Sequence, residues 1–293
     1  MNKKRIAVVG AGIGGMTTAV ALSQKGMDVT IFEQAPTLSE VGAGLTITPN
    51  ATKGLMYLNL GKEIEKIGMA HEHQGVRHYK TGEMIVPLHR GKKMLEQYGA
   101  YQFQLHRADI HDVLIKELKK NSPDSIFVNH QLCGIEETSE SVELKFTNNK
   151  KYEFDFVIGA DGNKSTVRNI IIGDDDPEFA GYVAWRGLVA TKDLSEGDFD
   201  ECGSSAFISP GRVFARYLVR NGDIYNYVGF LTTDEWAEEG WSIPSKVETV
   251  LNVFSDYNQQ VKNIIAATPP DRCYKWGIFT RKPINKWSSE KVT

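Results

Sequence analysis

Near the start of the chain, Gly10-Ala11-Gly12-Ile13-Gly14-Gly15 has the residue types and spacing of a phosphate cradle. A glycine-rich turn between a strand and a helix lets backbone approach a pyrophosphate without side-chain interference, and the helix start offers free N–H groups and a favourable dipole. Gly10, Gly12 and Gly15 meet that need. Glu33 stands at the end of the next predicted strand, where a carboxylate can accept hydrogen bonds from ribose hydroxyls and favours an adenosine without a 2′-phosphate. This beginning serves FAD or NAD equally. The discriminating feature lies far downstream, in Asp161-Gly162, which follows the apolar run Phe156-Val157-Ile158-Gly159-Ala160 and precedes a predicted helix containing Val167 and Arg168.

The elements that must position these residues are read from hydrophobic period. Residues 6–9 form a short apolar run of the kind buried in a parallel sheet. A helix over 14–25 carries Met16, Ala19, Val20 and Leu22, and Gly26 stands where a C-terminal cap is expected. Residues 29–32 complete a βαβ unit. After a glycine-broken loop at 41–44, 51–58 reads as a helix, and 76–79 and 84–88 as antiparallel strand pieces. A second helix over 107–119 places Ile110, Val113, Leu114 and Leu118 on one stripe. Residues 142–146 and 152–158, joined by Asn148-Asn149-Lys150, read as a hairpin leading into Asp161. From 181 to 231, strand-length runs are punctuated by Ser209-Pro210-Gly211 and Asn221-Gly222-Asp223, which predicts a separate antiparallel sheet. One or two helices follow over 245–267, then Pro269-Pro270 and an extended segment from 274 to 293. No internal repeat is evident.

Composition sets the outer bounds. The chain has 293 residues, 41% of them hydrophobic, enough for a sizeable core. With 34 basic and 37 acidic residues the net charge is −3, so no basic field for nucleic acid is present. Cys133, Cys202 and Cys273 are widely spaced, without a zinc or disulfide pattern, and fit a reducing cytoplasmic setting. The start, Met1-Asn2-Lys3-Lys4-Arg5 before an apolar run, imitates a signal peptide, but its glycines and Thr17-Thr18 suit a strand, turn and helix better. No membrane span is expected.

Taken together, these motifs resemble the FAD-dependent aromatic hydroxylases of the para-hydroxybenzoate hydroxylase fold, most closely the salicylate and 6-hydroxynicotinate hydroxylase branch. The resemblance implies an α/β fold, with an FAD-binding βαβ domain of glutathione-reductase type and an inserted mixed β-sheet substrate domain. The expected FAD domain is discontinuous, over 1–74, 100–176 and 273–293, and the substrate sheet and helices occupy 75–99 and 177–272. By resemblance, Gly10, Gly12, Gly14, Gly15, Glu33 and Gln34 hold the ADP part of FAD. Asp161 and Gly162 serve both FAD and pyridine-nucleotide handling, and Arg107, opening a helix, contacts the cofactor. The segment Val41-Gly42-Ala43-Gly44-Leu45-Thr46 resembles the loop passing near the flavin ring, which brings in Gly44 and Thr46. Gly181-Tyr182-Val183-Ala184-Trp185-Arg186 resembles the first strand of the substrate sheet.

Related enzymes place a substrate-contacting His and Tyr four residues apart; here Val213 takes the first position and Tyr217 keeps the second. Tyr217 is the leading substrate contact, with Thr46 and Arg186 behind it, and Arg216 and Arg220 as weaker partners for an acid. No single catalytic side chain is assigned. His71-Glu72-His73 with His78 lacks a recognised zinc spacing, and His106 and His111 read as polar surface or capping residues. The implied activity is hydroxylation of a small aromatic acid with FAD, NAD(P)H as transient co-substrate and molecular oxygen, through a flavin C4a-hydroperoxide. A homo-oligomer is compatible with this reading. In relatives the segment ending at Thr293 runs into a Gly-Asp turn that completes the flavin site, so this chain is expected to hold FAD weakly and to expose apolar area. The alternatives are a flavin monooxygenase acting on an alkene, polycycle or urate, a simple NAD-dependent dehydrogenase, and a noncatalytic fragment.

Overall fold

The strand Arg5–Val9 is buried at four of its five positions because it runs through the interior of a parallel sheet. The structure, a computed structural model, describes residues 3–38, 42–173, 177–199, 202–235, 240 and 242–293. Val41 of the ring-loop segment and 200–201 of the predicted 181–231 sheet lie outside the described residues. The chain divides into two compact units, one of Met1–Glu40, Ile110–Pro177 and Arg281–Thr293, the other of Val41–Asp109 and Glu178–Thr280.

In the first unit the sheet order is Phe156–Gly159, Arg5–Val9, Asp28–Phe32, Ile126–Phe127, all parallel. The helix Ile13–Gln24 buries Met16, Ala19 and Val20, and Gly26 ends the turn beyond it in the left-handed region, at φ +79°. A three-stranded antiparallel sheet, Lys151–Phe154, Val142–Phe146 and Leu132–Glu137, packs on the parallel one through Phe32, whose ring lies within 6 Å, centroid to centroid, of Phe146, Phe154 and Tyr152.

The run read as one strand over 152–158 is two. Lys151–Phe154 stays in the antiparallel sheet and Phe156–Gly159 joins the parallel one. The break is at Asp155, whose carboxylate accepts the Arg5 N–H at 2.7 Å and faces the Lys4 ammonium at 3.7 Å. Val292 buries beside Val157, and Thr293 exchanges backbone hydrogen bonds with Val157 and Gly159.

The second unit is built on an eight-stranded sheet with the order Ile243–Pro244, Cys273–Thr280, Glu178–Ala190, Ile224–Thr232, Arg212–Val219, Ser204–Ser209, His73–His78, Met84–His89. Alternation gives it two distinct faces. Phe207, Phe214, Tyr225 and Tyr227 pack beneath the helices Val247–Val253 and Gln259–Ala266, with Phe254 and Ile264. The opposite face carries Ser204, Tyr217, Asn226 and Leu188 in one cross-strand row, and Ala206, Ala215, Val228 and Arg186 in the next.

A two-stranded antiparallel ribbon, Gly44–Ile47 with Phe103–His106, is fastened to that first row. Through this attachment 42–74 and 100–109 belong to the second compact unit. The helix predicted over 51–58 spans Pro49–Tyr57, and the one over 107–119 spans Arg107–Asn121.

Candidate functional site

Two of the early glycines are dictated by close packing. Gly10 adopts φ +102°, and a Cβ there or on Gly15 would overlap backbone, the Ala160 carbonyl in the first case and the Gly10 carbonyl in the second. Gly12 and Gly14 are different: a Cβ on either meets nothing within 4 Å. Gly12 is also the N-cap of Ile13–Gln24 and provides no side-chain cap, so the first N–H groups of the helix are left for another acceptor. The turn is thus a cradle that side chains would fill, with a helix start aimed into it, and it fits the pyrophosphate of a dinucleotide.

Glu33 accepts two backbone N–H groups, from Ala11 at 2.8 Å and Ala35 at 2.9 Å, one on each carboxylate oxygen. It fixes the shape of the glycine turn and retains acceptor capacity on both oxygens. Gln34 beside it is exposed. His111, read from sequence as a surface or capping residue, is buried, and its Nε2 lies 2.6 Å from the Ala11 carbonyl oxygen. It is a second brace on the turn. The correction follows from helix phase, since His111 shares the inward stripe of Ile110 and Leu114.

Asp161 folds back on its own turn. Its carboxylate accepts from the Ser165 hydroxyl at 2.5 Å and the Val167 N–H at 3.1 Å, while Ser165 caps the helix Thr166–Ile172 through the Arg168 N–H. Gly162 takes φ +80° with open space where a Cβ would be. Arg168 and Arg281 both donate to the Asn163 carbonyl, at 2.8 and 2.7 Å.

In the second unit, Gly44 lies directly against the sheet: a Cβ there would come within 2.5 Å of Asn226 Cγ and 2.7 Å of Tyr217 Cε2. Its N–H donates to Asn226 Oδ1 at 2.7 Å. Thr46, exposed at the ribbon's edge, hydrogen-bonds the Tyr217 phenol. Burial pushes that phenol up to about 12, with the Thr46 hydrogen bond opposing, so Tyr217 stays protonated at neutral pH. Gln104, cross-strand from Thr46, donates to Ser204 at 3.1 Å. Gly44, Thr46 and Tyr217 are therefore brought together, and Asn226 and Gln104 are partners the sequence reading missed. Asn226 was detectable only as the polar member between Tyr225 and Tyr227 in an apolar strand.

Arg186 is buried, its guanidinium 5.5 and 5.7 Å from the Tyr274 and Trp276 rings and donating to Ser242 at 3.1 Å. It shares a face with Tyr217 but leans toward the strand Cys273–Thr280. Arg216 is on the opposite face from Tyr217, where it donates to the Asp198 carbonyl and stacks on Phe207 and Tyr225. Arg107 donates its backbone N–H to Ala43 at 2.8 Å.

His106 is buried as well, contrary to the surface reading. Its imidazole is pulled below the ordinary histidine range by burial first and then by the Arg220 guanidinium, with Asp109 opposing. Arg220 holds Asp109 through two hydrogen bonds, at 3.0 and 2.6 Å. The remaining histidines diverge: His71 faces the Leu218 carbonyl, His73 pairs with His89, and His78 accepts from Thr81. Among the described residues no cluster of three metal-ligating side chains forms, and no helix is long and apolar enough to cross a membrane.

Comparisons with known proteins agree with this architecture. The family described as FAD binding domain matches residues 3–282. The chain is 30% identical over 293 residues to the 3-amino-4-hydroxybenzoate 2-monooxygenase PtmB3 of Streptomyces platensis, covering 100% of this chain and 72% of that protein. It is 32% identical over 292 residues to the 6-hydroxynicotinate 3-monooxygenase of Pseudomonas fluorescens, covering 98% and 74%. The crystal structure of Klebsiella pneumoniae HpxO complexed with FAD and uric acid superposes with a TM-score of 0.87 at 24% identity, over 99% of this chain and 71% of that one, and shares its fold. A glycine cradle fit for a dinucleotide, carried on a fold and sequence of this kind, places the chain in the family of FAD-dependent aromatic hydroxylases, enzymes of the monooxygenase class.

Proposed function

We propose that the protein hydroxylates a small aromatic acid, with FAD as cofactor and NAD(P)H and molecular oxygen as co-substrates, and that the acid binds on the sheet face carrying Tyr217. The observation that carries this reading is the pairing of one hydrogen-bonded phenol, Tyr217 with Thr46, with a floor of small and apolar residues, Ala215, Val228 and Ala184. Relatives acting on 3-amino-4-hydroxybenzoate and 6-hydroxynicotinate support the substrate class. In this reading Gly10, Gly12, Gly14, Gly15, Glu33 and Gln34 hold the dinucleotide end of FAD. Asp161 and Gly162 shape the second turn of that site, and Gly44 and Arg107 are further candidates for holding the cofactor.

Bound and reduced FAD supplies the oxygen-activating chemistry. The protein's part is to orient and to shelter. Tyr217, kept protonated by burial, donates a hydrogen bond to a ring oxygen, and Thr46 fixes the direction of that phenol. Arg186 supplies a positive charge at the far side of the same face, and the apolar floor limits water around the reacting ring. Cys133, Cys202 and Cys273 are thiols outside any disulfide, which supports a reducing, cytoplasmic location. The test is NAD(P)H oxidation by the FAD-supplemented protein across a panel of hydroxybenzoates, aminohydroxybenzoates and hydroxynicotinates. Stimulation by at least one acid, with a hydroxylated product, supports the reading; equal oxidation with and without every acid contradicts it. Light scattering on the same sample measures whether it is a homo-oligomer.

A further inference from the structure

The ribbon of Gly44–Ile47 and Phe103–His106 meets the eight-stranded sheet through side chains. Among the described residues no backbone hydrogen bond joins the two. Alternation gives the ribbon an apolar face, with Leu45, Ile47, Phe103 and Leu105, and a second face with Gly44, Thr46, Gln104 and His106. The second face is the one turned to the sheet: Gly44 bonds Asn226, Thr46 the Tyr217 phenol, and Gln104 the Ser204 hydroxyl. Those three sheet residues are consecutive members of one cross-strand row. Hydrogen bonds are directional, so these three set where the ribbon sits along the row.

Asn226 Oδ1 accepts the Gly44 N–H at 2.7 Å. The glycine lies so near that a Cβ on it would come 2.7 Å from both Asn226 Cβ and Tyr217 Cε2. The Gly44 N–H fixes which way the amide points, since a donor needs the oxygen opposite it. Nδ2 is thereby left buried with no hydrogen-bond partner. A buried amide matched at one end stabilises a fold no more than an apolar side chain of its size, so stability alone gives Asn226 no role that leucine would not fill. What the amide adds at this place is an acceptor for Gly44.

We propose that Asn226 is a positioning residue for the hydroxylation, acting through Gly44: it draws the ribbon onto the Tyr217 ring, so that Thr46 reaches the phenol oxygen and the phenol is held in one direction toward the substrate. Gln104 completes the hold, fastening the other strand of the ribbon to Ser204 on the opposite side of Tyr217. This rests on the function proposed above. In Asn226→Leu a methyl group stands where Oδ1 accepted, which pushes the Gly44 N–H away and lifts the ribbon from the ring.

Two measurements on the full chain test this. The first is an NMR titration of protein carrying tyrosine isotope-labelled at Cζ, whose shift reports ionisation of each phenol; the Tyr217 signal is identified by its loss in Tyr217→Phe. With burial holding that phenol up to about 12, the wild-type signal is expected to stay largely in its protonated position at about pH 11. In Asn226→Leu, and in Gln104→Leu, it is expected to titrate about one pH unit earlier or more. The second is equilibrium dialysis of 6-hydroxynicotinate and 3-amino-4-hydroxybenzoate against the FAD-supplemented protein, arranged as a double-mutant cycle. Asn226→Leu is expected to weaken binding about 2- to 10-fold when Tyr217 is present, and less than about twofold in Tyr217→Phe. An unmoved Tyr217 signal in both amide variants, or equal weakening with and without the phenol, overturns the proposal. No binding of either acid to the wild type removes the function reading beneath it instead, while the Tyr217 signal still decides whether Asn226 holds the ring.

Discussion

Gly12→Ala separates a glycine kept for folding from one kept for a ligand. Gly12 sits at φ −68° and ψ 178°, backbone that alanine adopts without strain, and the added Cβ meets no protein atom within 4 Å. Alanine is a poorer N-cap than glycine by several tenths of a kcal/mol, whereas fewer unfolded conformations return about 0.4–1 kcal/mol. The two nearly cancel, so the apoprotein should keep its stability within about 0.5 kcal/mol. Against a bound pyrophosphate the same methyl is an overpacking substitution, costing about 1–3 kcal/mol, which is about 5- to 150-fold in affinity. Urea unfolding of the apoprotein and a flavin-fluorescence titration with FAD read the two quantities separately. An unchanged FAD affinity would refute the assignment of Gly12 to the cofactor, and a loss of more than about 2 kcal/mol without FAD would show that the turn needs glycine for its own packing.

Gly15→Ala should behave oppositely, destabilising the apoprotein toward the upper end of about 1–3 kcal/mol because the obstacle is the Gly10 carbonyl rather than a movable side chain; urea midpoints measure it. Glu33→Gln should cost the apoprotein about 1–3 kcal/mol, since it weakens two charge-assisted hydrogen bonds that shape the turn; a stability unchanged in the absence of FAD would contradict the bracing role. His106 is held below its ordinary 6.5 when folded, so the unfolded chain binds the proton first and stability must fall as pH drops below about 6.5. His106→Gln should flatten that decline in unfolding midpoints collected from pH 7 to pH 5.

The βαβ unit and its glycine turn were legible because their signals are local: consecutive apolar residues, glycines at the strand end and an inward helical stripe ending before Gly26. Asp161-Gly162 was legible for the same reason. What escaped sequence reading depends on contacts between distant segments. Asn226 reaches Gly44 across 182 positions and His111 reaches Ala11 across 100, and no local pattern announces either bond. The ribbon of Gly44–Ile47 with Phe103–His106 was missed because each strand is four residues long and its partner is remote. Period-two alternation does account for Arg216 once the strand is placed, since it must face the helices if Tyr217 faces the other way. The split of 152–158 turned on one carboxylate, Asp155, bound to the Arg5 N–H.

The most direct test of the account is incubation of the FAD-supplemented protein with NAD(P)H, isotope-labelled dioxygen and the aromatic acid that most stimulates NAD(P)H oxidation, followed by mass spectrometry of the product. The account predicts one labelled oxygen atom on the ring, with the yield sharply reduced in Tyr217→Phe. Consumption of NAD(P)H with only peroxide formed, and no label in any of the acids tried, would contradict it.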